Sequence, residues 1–237
     1  MAQLATTDAD LSDALTLRHA VFRGRRGPGQ GDDADRHDAL ARHLLIRQGD
    51  SGHLVGCCRL LSLPSGAAVQ GSYSAQHYDL TGLATYPAPL LELGRFCIDP
   101  AATHPDILRL MWAALTRIVD AEAVQMLFGC TSFPGTDPQR HAAALGLLAT
   151  HRAAPPALRP GPKARATVAL SDFPPTDTAT ALRALPPLLR TYLEMGGWTS
   201  DHAVIDPDLN TLHIFTALEI AAIPAPRARL LRHMAQH

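Results

Sequence analysis

A single α/β domain on a mixed sheet, with a C-terminal extension of that sheet, is the fold the sequence predicts. Three observations lead to it. Helical and strand-like patterns alternate along all 237 residues. No internal repeat and no low-complexity linker divides them, so residues 1–237 read as one domain. The composition, 46% hydrophobic with a net charge of −1, suits a globular chain that buries a sizeable core.

The elements follow in order. In "LSDALTLRHAVF", Leu11, Leu15, Arg18, Val21 and Phe22 fall at helical spacing behind Asp8 and Asp10 as capping candidates. A Gly-rich loop, "RGRRGPGQGDD", comes next. "HLLIRQ" and "HLVGCCRLL" flank "GDSG" and read as a hairpin. "PLLELGRFCIDP", residues 89–100, reads as a buried strand closed by Asp99-Pro100. "THPDILRLMWAALTRIVDAEA" is a helix and "VQMLFGCTSF" a strand. "DPQRHAAALGLLA" is a helix opened by Asp137 as cap and Pro138 in the first turn. After the Pro-rich "RAAPPALRPGPK", the helix "LPPLLRTYLEMGG" ends at Gly196-Gly197. Two last strands, "HAVID" and "TLHIFTAL", are joined by the turn "PDLN".

Several function classes find no support. No apolar run approaches the ~20 residues of a membrane span, and the N-terminus lacks the basic and apolar regions of a signal peptide. Cys57, Cys58, Cys97 and Cys130 form no C-x-x-C pair and read as buried free thiols of a cytoplasmic protein. Twelve histidines contain no H-E-x-x-H and no Cys/His cluster at ligand spacing, so no metal site is expected. There is no G-x-G-x-x-G between a strand and a helix, no G-x-S-x-G elbow, and no nucleic-acid pattern of interleaved basic and aromatic residues.

What remains is charge in awkward places. Arg18 lies in the first helix, and Asp35 and Asp38 in "DDADRHDAL". Arg59 sits inside the apolar "GCCRLL", and Glu92 and Arg95 inside "PLLELGRFCIDP". Burying such ions costs several kcal/mol each unless they are paired, and three arginines balance three carboxylates here. The bland alternative is a set of solvated charges or a lone structural pair.

These residues carry a resemblance. "LRHAVF", "DRHD", "HLLI", "LVGCCRLL", "GSYSAQHYDL", "LLELGRFCIDP", "LFGCTSFPGTDP" and "LPPLLRTYLEMGGWTSDHAVIDPDLNT" together resemble the bacterial ornithine N-acyltransferases. Those enzymes move a 3-hydroxyacyl chain from acyl-carrier protein to the α-amine of an amino acid, the first step of ornithine-lipid synthesis. The first half is also similar to the acyl-homoserine-lactone synthases, through Arg18, Phe22, Asp35, Asp38, Arg59, Glu92 and Arg95-Phe96. The second half matches only the ornithine type. The resemblance implies a GNAT-like fold: a mixed, mostly antiparallel central sheet flanked by helices, splayed at the Glu92–Arg95 strand. No R-x-x-G-x-G pyrophosphate loop follows Asp99, which suits a carrier-bound donor whose phosphopantetheine arm brings no nucleotide; no other cofactor is implied.

The roles implied are these. An ammonium has no lone pair with which to attack a thioester, so a general base is needed, and Glu92 is the candidate, with Arg95 as its catalytic partner. Residues three apart on a regular strand face opposite ways; a bulge at Gly94 would turn both charges toward one site and open a slot for the pantetheine arm. Arg18, Arg59, Asp35, Asp38 and Phe96 are candidate substrate-binding residues. The arginines either hold the carboxylates or receive the substrate carboxylate, and the aspartates either bind a cationic group or anchor the arginines.

Independently of the family, no acidic residue lies between Asp137 and Asp172, while Arg140, Arg152, Arg159, Lys163 and Arg165 do. Arg152, Arg159, Lys163 and Arg165 are candidates for docking the acidic acyl-carrier protein, or for contact with the inner membrane face. The expected function is acylation of L-ornithine by an acyl-carrier-protein thioester, with glutamine or lysine as other acceptors. A lactone synthase or other GNAT acyltransferase is the alternative, and a non-catalytic carrier- or lipid-binding protein a third.

Overall fold

The computed structural model describes residues 1–24, 33–49, 51–102, 104 and 106–236; most of the Gly-rich loop lies outside them. The elements are β1 (Ala2–Leu4), α1 (Asp8–Arg18), β2 (Arg42–Arg47), β3 (Leu54–Leu63), β4 (Tyr78–Asp79), β5 (Leu90–Ile98), α2 (Asp106–Ala121), β6 (Met126–Pro134), α3 (Ala142–His151), β7 (Gly161–Pro162), β8 (Thr167–Ala169), α4 (Thr178–Ala184), α5 (Pro187–Glu194), β9 (Trp198–Asp206), β10 (Thr211–Glu219) and α6 (Ala225–Ala235). Two compact units divide the chain: Met1–Ser62 with Leu91–Val124 and Ala225–His237, and Leu63–Leu90 with Gln125–Pro224.

The first unit holds strands in the order β1-β2-β3-β5. β1 pairs antiparallel with β2, Leu4 opposite Leu44, and β2 antiparallel with β3, Leu45 opposite Cys57. This is the expected hairpin. β3 is apolar almost without alternation because both its faces are covered. On one face Ala14 and Leu17 of α1 pack with Leu45, Cys57 and Cys97. On the other, Gly56 lies under α2, where an added Cβ would stand 3.3 Å from Ile107 Cγ2. Arg59, two residues after Cys57, shares the α1 face.

α1 begins one residue earlier than the acidic caps suggest. Thr7 is the N-cap, its Oγ1 accepting from the Asp10 amide at 3.1 Å, while Asp10 Oδ2 accepts from the Thr6 amide at 3.1 Å. Each side chain thus satisfies a backbone donor at the start of the helix. At its far end α1 widens into a π-helical turn, His19–Arg23, a feature frequent at functional sites. α2 packs against α6, and Arg232 of α6 pairs with Asp120 of α2, its Nε donating to Oδ2 at 3.1 Å and its Nη2 to Oδ1 at 3.0 Å.

The second unit holds strands in the order β6-β10-β9-β8, and every neighbouring pair is antiparallel. A register slip in β10 between Ile214 and Thr216 separates its two stretches of pairing with β9. α3 and α5 cover one face, where Leu145, Leu148, Leu189 and Leu193 meet Phe133, Leu212 and Ile214. On the other face Tyr78 of β4 is fully buried, and its hydroxyl donates to the His213 carbonyl at 2.9 Å. α5 ends at Gly196, whose φ of +93° is open to glycine and strained for other residues.

Three expectations shift in detail. "DPQRHAAALGLLA" opens with a 3₁₀ turn, Pro138–His141, before α3, although Asp137 does cap it through the Gln139 amide. β1, α4 and α6 carried no sequence signal strong enough to predict; β1 has three residues, and α6 buries only Leu231. At the expected Gly94 bulge, the irregularity shown is a left-handed backbone at the next residue, Arg95, φ +50°.

Candidate active site

All the site residues described next belong to the first unit. Arg18, at the C-terminal end of α1, is fully buried. Its Nε donates to Asp33 Oδ2 at 2.9 Å, its Nη1 to Asp38 Oδ1 at 2.6 Å, and its Nη2 to the Asp33 carbonyl at 2.6 Å. The aspartates come from the turn that precedes β2. There the Asp35 amide donates to Asp38 Oδ2 at 2.8 Å and the His37 amide to Asp35 Oδ1 at 2.8 Å, so the side chains that bind the arginines also fold the turn. Arg59 of β3 donates from Nη1 to Asp35 Oδ1 at 2.6 Å and to Asp38 Oδ1 at 3.1 Å.

β5 supplies Glu92 and Arg95. Arg95 Nε donates to Asp33 Oδ2 at 2.7 Å, and its Nη2 to Asp35 Oδ2 at 3.4 Å. Its guanidinium lies over the Phe22 ring, 5.9 Å from the centroid. Its backbone is left-handed, φ +50°, which costs a non-glycine residue about 1–2 kcal/mol. This is the conformation taken by the first residue of a G1 bulge, and across it the two-residue alternation no longer dictates which face Glu92 and Arg95 share. Glu92 is 4% exposed. Arg59 lies beside Gly94, where an added Cβ would sit 3.6 Å from its Nε.

The structure thus brings Arg18, Asp35, Asp38, Arg59 and Arg95 into one network, with Glu92 buried three residues before Arg95 on the same strand. Phe96 is half-buried in β5. Sequence reasoning missed Asp33, which has no exposed surface and binds three arginines, the third being Arg23 through Nε at 3.1 Å. Its signal was present in "DDADRHD", two residues before Asp35, but the Gly-rich stretch before it made it look like loop. Arg152, Arg159, Lys163 and Arg165 belong to the second unit and are all exposed. Cys57, Cys58 and Cys97 are buried thiols, with Cys57 and Cys97 sulfurs 3.5 Å apart, while Cys130 is partly exposed. Among the described residues no helix is long and apolar enough to cross a membrane.

Pairing outweighs burial for Asp35, Asp38 and Arg18. Burial alone would raise the Asp35 pKa; the Arg59 hydrogen bond and charge, the His37 amide and the Arg95 charge outweigh it and hold the group at about 2. Asp38 is likewise held low against burial, by Arg18, the Asp35 amide and Arg59. Burial pulls Arg18 down, and Asp38 and Asp33 more than offset it. His43 of β2 stands opposite Arg59 across the β2–β3 pair. Burial lowers its pKa below the ordinary 6.5, contact with Asp38 opposes this, and the charges of Arg18 and Arg59 add to the lowering.

A mixed, mostly antiparallel sheet flanked by helices is the build of a GNAT acyltransferase. The family model described as an acetyltransferase (GNAT) domain matches residues 17–113, the stretch that contains every member of the cluster. More narrowly, the chain belongs to the L-ornithine N(alpha)-acyltransferase family. It is 31% identical to the L-ornithine N(alpha)-acyltransferase of Rhodobacter capsulatus over 234 residues, covering 93% of this chain and 90% of the relative. It is 30% identical to the Agrobacterium fabrum protein of the same name, over 93% of this chain and 81% of that one. An acyl-homoserine-lactone synthase of Vibrio anguillarum is 32% identical over 97 residues, 38% of this chain and 48% of the relative. Among solved structures, TofI in an apo form has the same fold, with a TM-score of 0.51 at 16% identity and 99% of each chain covered. So does the CoA-dependent acyl-homoserine lactone synthase BjaI with MTA, at 0.52 and 14% identity, covering 100% of this chain and 89% of that one. The chain is a GNAT N-acyltransferase.

The pH dependence of stability follows from the titrations. Below about pH 6.5 an unfolded His43 binds a proton that the folded one, with its lower pKa, refuses, so stability falls as pH drops from there. Asp35 and Asp38, both held low, contribute stability above their unfolded value near 4 and lose it as pH falls through their folded values, about 2 for Asp35. Denaturant unfolding at pH 7.5 and 5 is expected to show a smaller loss for His43→Asn than for the unmodified chain. One histidine accounts for at most about 1.4 kcal/mol per pH unit. Equal losses in both proteins would mean that His43 does not drive the acid limb.

Proposed function

We propose that the chain, acting as one N-acyltransferase domain over residues 1–237, moves a (3-hydroxy)acyl group from acyl-carrier protein to the α-amine of L-ornithine, forming a lyso-ornithine lipid. The observation that carries this reading is the alignment of 93% of the chain with proteins named for that acceptor. Glu92, buried in β5 three residues before Arg95, is the general base: its carboxylate takes a proton from the acceptor ammonium. The freed amine attacks the thioester carbonyl, a C–N bond forms and the C–S bond breaks; the second proton lost by the nitrogen goes to the departing pantetheine sulfur, and the one on Glu92 returns to solvent. Arg95 and Arg59 orient the acceptor, and Phe96 lines its approach. Arg18 and Asp38 serve from behind, since all the nitrogens of Arg18 point at Asp33 and Asp38.

Arg152, Arg159, Lys163 and Arg165 fit the acidic surface of a carrier protein, which would raise the rate of encounter and its specificity. The product is amphiphilic, so the same exposed basic residues suit work in the cytoplasm at the inner membrane face. The lactone-synthase reading has one specific observation in its favour, the 97-residue match to the Vibrio anguillarum protein. That match is confined to part of the chain.

Glu92→Gln keeps the shape and removes the proton acceptor, so turnover at neutral pH is expected to fall by roughly 10²–10⁴-fold in a folded protein. Near-normal turnover would take Glu92 out of the mechanism. Reversing Arg152, Arg159 and Arg165 to Glu is expected to raise the apparent KM for acyl-carrier protein and blunt its salt dependence, with little change at saturation. An unchanged KM with weaker binding to anionic vesicles would assign these residues to lipid. Acceptor and donor are read together by lipid mass spectrometry of a host without aminolipids that expresses the chain with an O-acyltransferase. A new ornithine-containing lipid is the expected result. A glutamine- or lysine-containing lipid would change the acceptor, and acyl-homoserine lactone in the medium without any new lipid would overturn the reading.

A further inference from the structure

The three aspartates of the cluster are not equivalent. Asp33 has no exposed side-chain surface, and its carboxylate accepts from Arg18, Arg23 and Arg95. Asp38, with 7% of its side chain exposed, accepts from Arg18, Arg59 and the Asp35 amide. Asp35 is 24% exposed. Its Oδ1 is occupied by Arg59 and the His37 amide, but its Oδ2 takes, among the described residues, one long contact at 3.4 Å from Arg95 Nη2. That is beyond the 2.7–3.2 Å of an ordinary N–H···O bond, and a carboxylate oxygen accepts two. Asp35 Oδ2 therefore keeps capacity for a strong donor arriving from solvent, whereas each oxygen of Asp38 already accepts two donors and Asp33 has no surface for a donor to reach.

We propose that Asp35 binds the side-chain cation of the acceptor and so selects a diamino acid, and that Asp33 is the positioning residue that keeps Asp35 available. This rests on the N-acyltransferase reading above and adds to it the residue that reads the acceptor's side chain. Two arguments support the division. A carboxylate held at about 2 is a poor proton acceptor at neutral pH, so Asp35 suits a group that keeps its proton and not the α-amine that must lose one. Arg95 meanwhile sends its Nε to Asp33 at 2.7 Å and only a distant Nη2 to Asp35. With Asp33 neutralised, Arg95 turns to Asp35 Oδ2 as the remaining anion in reach and competes with the acceptor for it.

The test compares kcat/KM for ornithine with that for norvaline, the same side chain without the ammonium, using the full chain and both carrier- and CoA-bound acyl donors. The unmodified protein is expected to favour ornithine. In Asp35→Asn the ornithine-to-norvaline ratio is expected to fall roughly 10- to 100-fold, the size of a lost charge-assisted hydrogen bond, mainly through the KM for ornithine. Asp33→Asn is expected to move the ratio in the same direction by a smaller factor. A purely structural role for either residue would lower both acceptors alike and leave the ratio unmoved, which would overturn the proposal. Should a variant not fold, a mixture of the two amino acids offered to the unmodified protein still decides. Equal or preferred acylation of norvaline overturns the role of Asp35 while N-acylation stands, and acylation of neither overturns both.

Discussion

A guanidinium with no access to water is the constraint around which the first unit is organised. Left without partners, a buried charge costs several kcal/mol, and removing one member of a buried pair typically costs about 3–5 kcal/mol. Arg18 meets that condition through Asp33 and Asp38, one carbonyl and two carboxylates at 2.6–3.2 Å. Satisfying it forces the end of α1, the 33–38 turn and the strands bearing Arg59 and Arg95 to converge. The hydrophobic contacts of Ala14, Leu17, Leu45 and Cys57 bring those elements together. They are non-directional, however, and the ion pairs are what orient them.

The left-handed Arg95 belongs to the same arrangement. Backbone strain of about 1–3 kcal/mol persists only where the surroundings over-determine it. Here the Nε contact with Asp33 and the Phe22 ring beneath the guanidinium do so. The π-helical turn after α1 is what places Phe22 and Arg23 on the cluster side. Three departures from regular backbone and burial, at His19–Arg23, at the 33–38 turn and at Arg95, therefore have one electrostatic cause. Such places, where local rules give way to a set of fixed charges, are where function is expected.

The two units differ in kind. The second is held by aliphatic packing of α3 and α5 on β6, β9 and β10, and by aromatic contacts around Tyr78 and Phe215 on the opposite face. The basic residues of its surface, Arg152, Arg159 and Arg165, are exposed. The first carries the buried ion network, while the family-model match over residues 17–113 takes in both its strands β2, β3 and β5 and Leu63–Leu90 of the second. The matches to the ornithine-named relatives run through both units, whereas the lactone-synthase match spans 97 residues, so the whole length of the chain is what sets the family.

Periodicity in the sequence by itself determined the helices and strands with long apolar patterns, including the β2–β3 hairpin, α2, α5 and the β9–β10 pair, because burial of one face writes a period into the residues. It also determined that charges inside "GCCRLL" and "PLLELGRFCIDP" needed partners, since unpaired ions are too costly in a core. It did not reveal α6 or β1, whose few buried positions leave no period to read. Tertiary structure alone decided which charges pair: Arg18, Asp33, Asp38, Arg59 and Arg95 are separated by up to 77 residues in the chain, and nothing local links them. It alone decided that Asp33 is the most buried acid and Asp35 the most accessible, because three aspartates within six residues look alike until arginines from α1, β3 and β5 arrive around them. The left-handed turn fell on Arg95 and not on the adjacent Gly94 for the same reason: intrinsic preference favours glycine by about 1–2 kcal/mol, and a guanidinium fixed by Asp33 from outside the strand outweighs it.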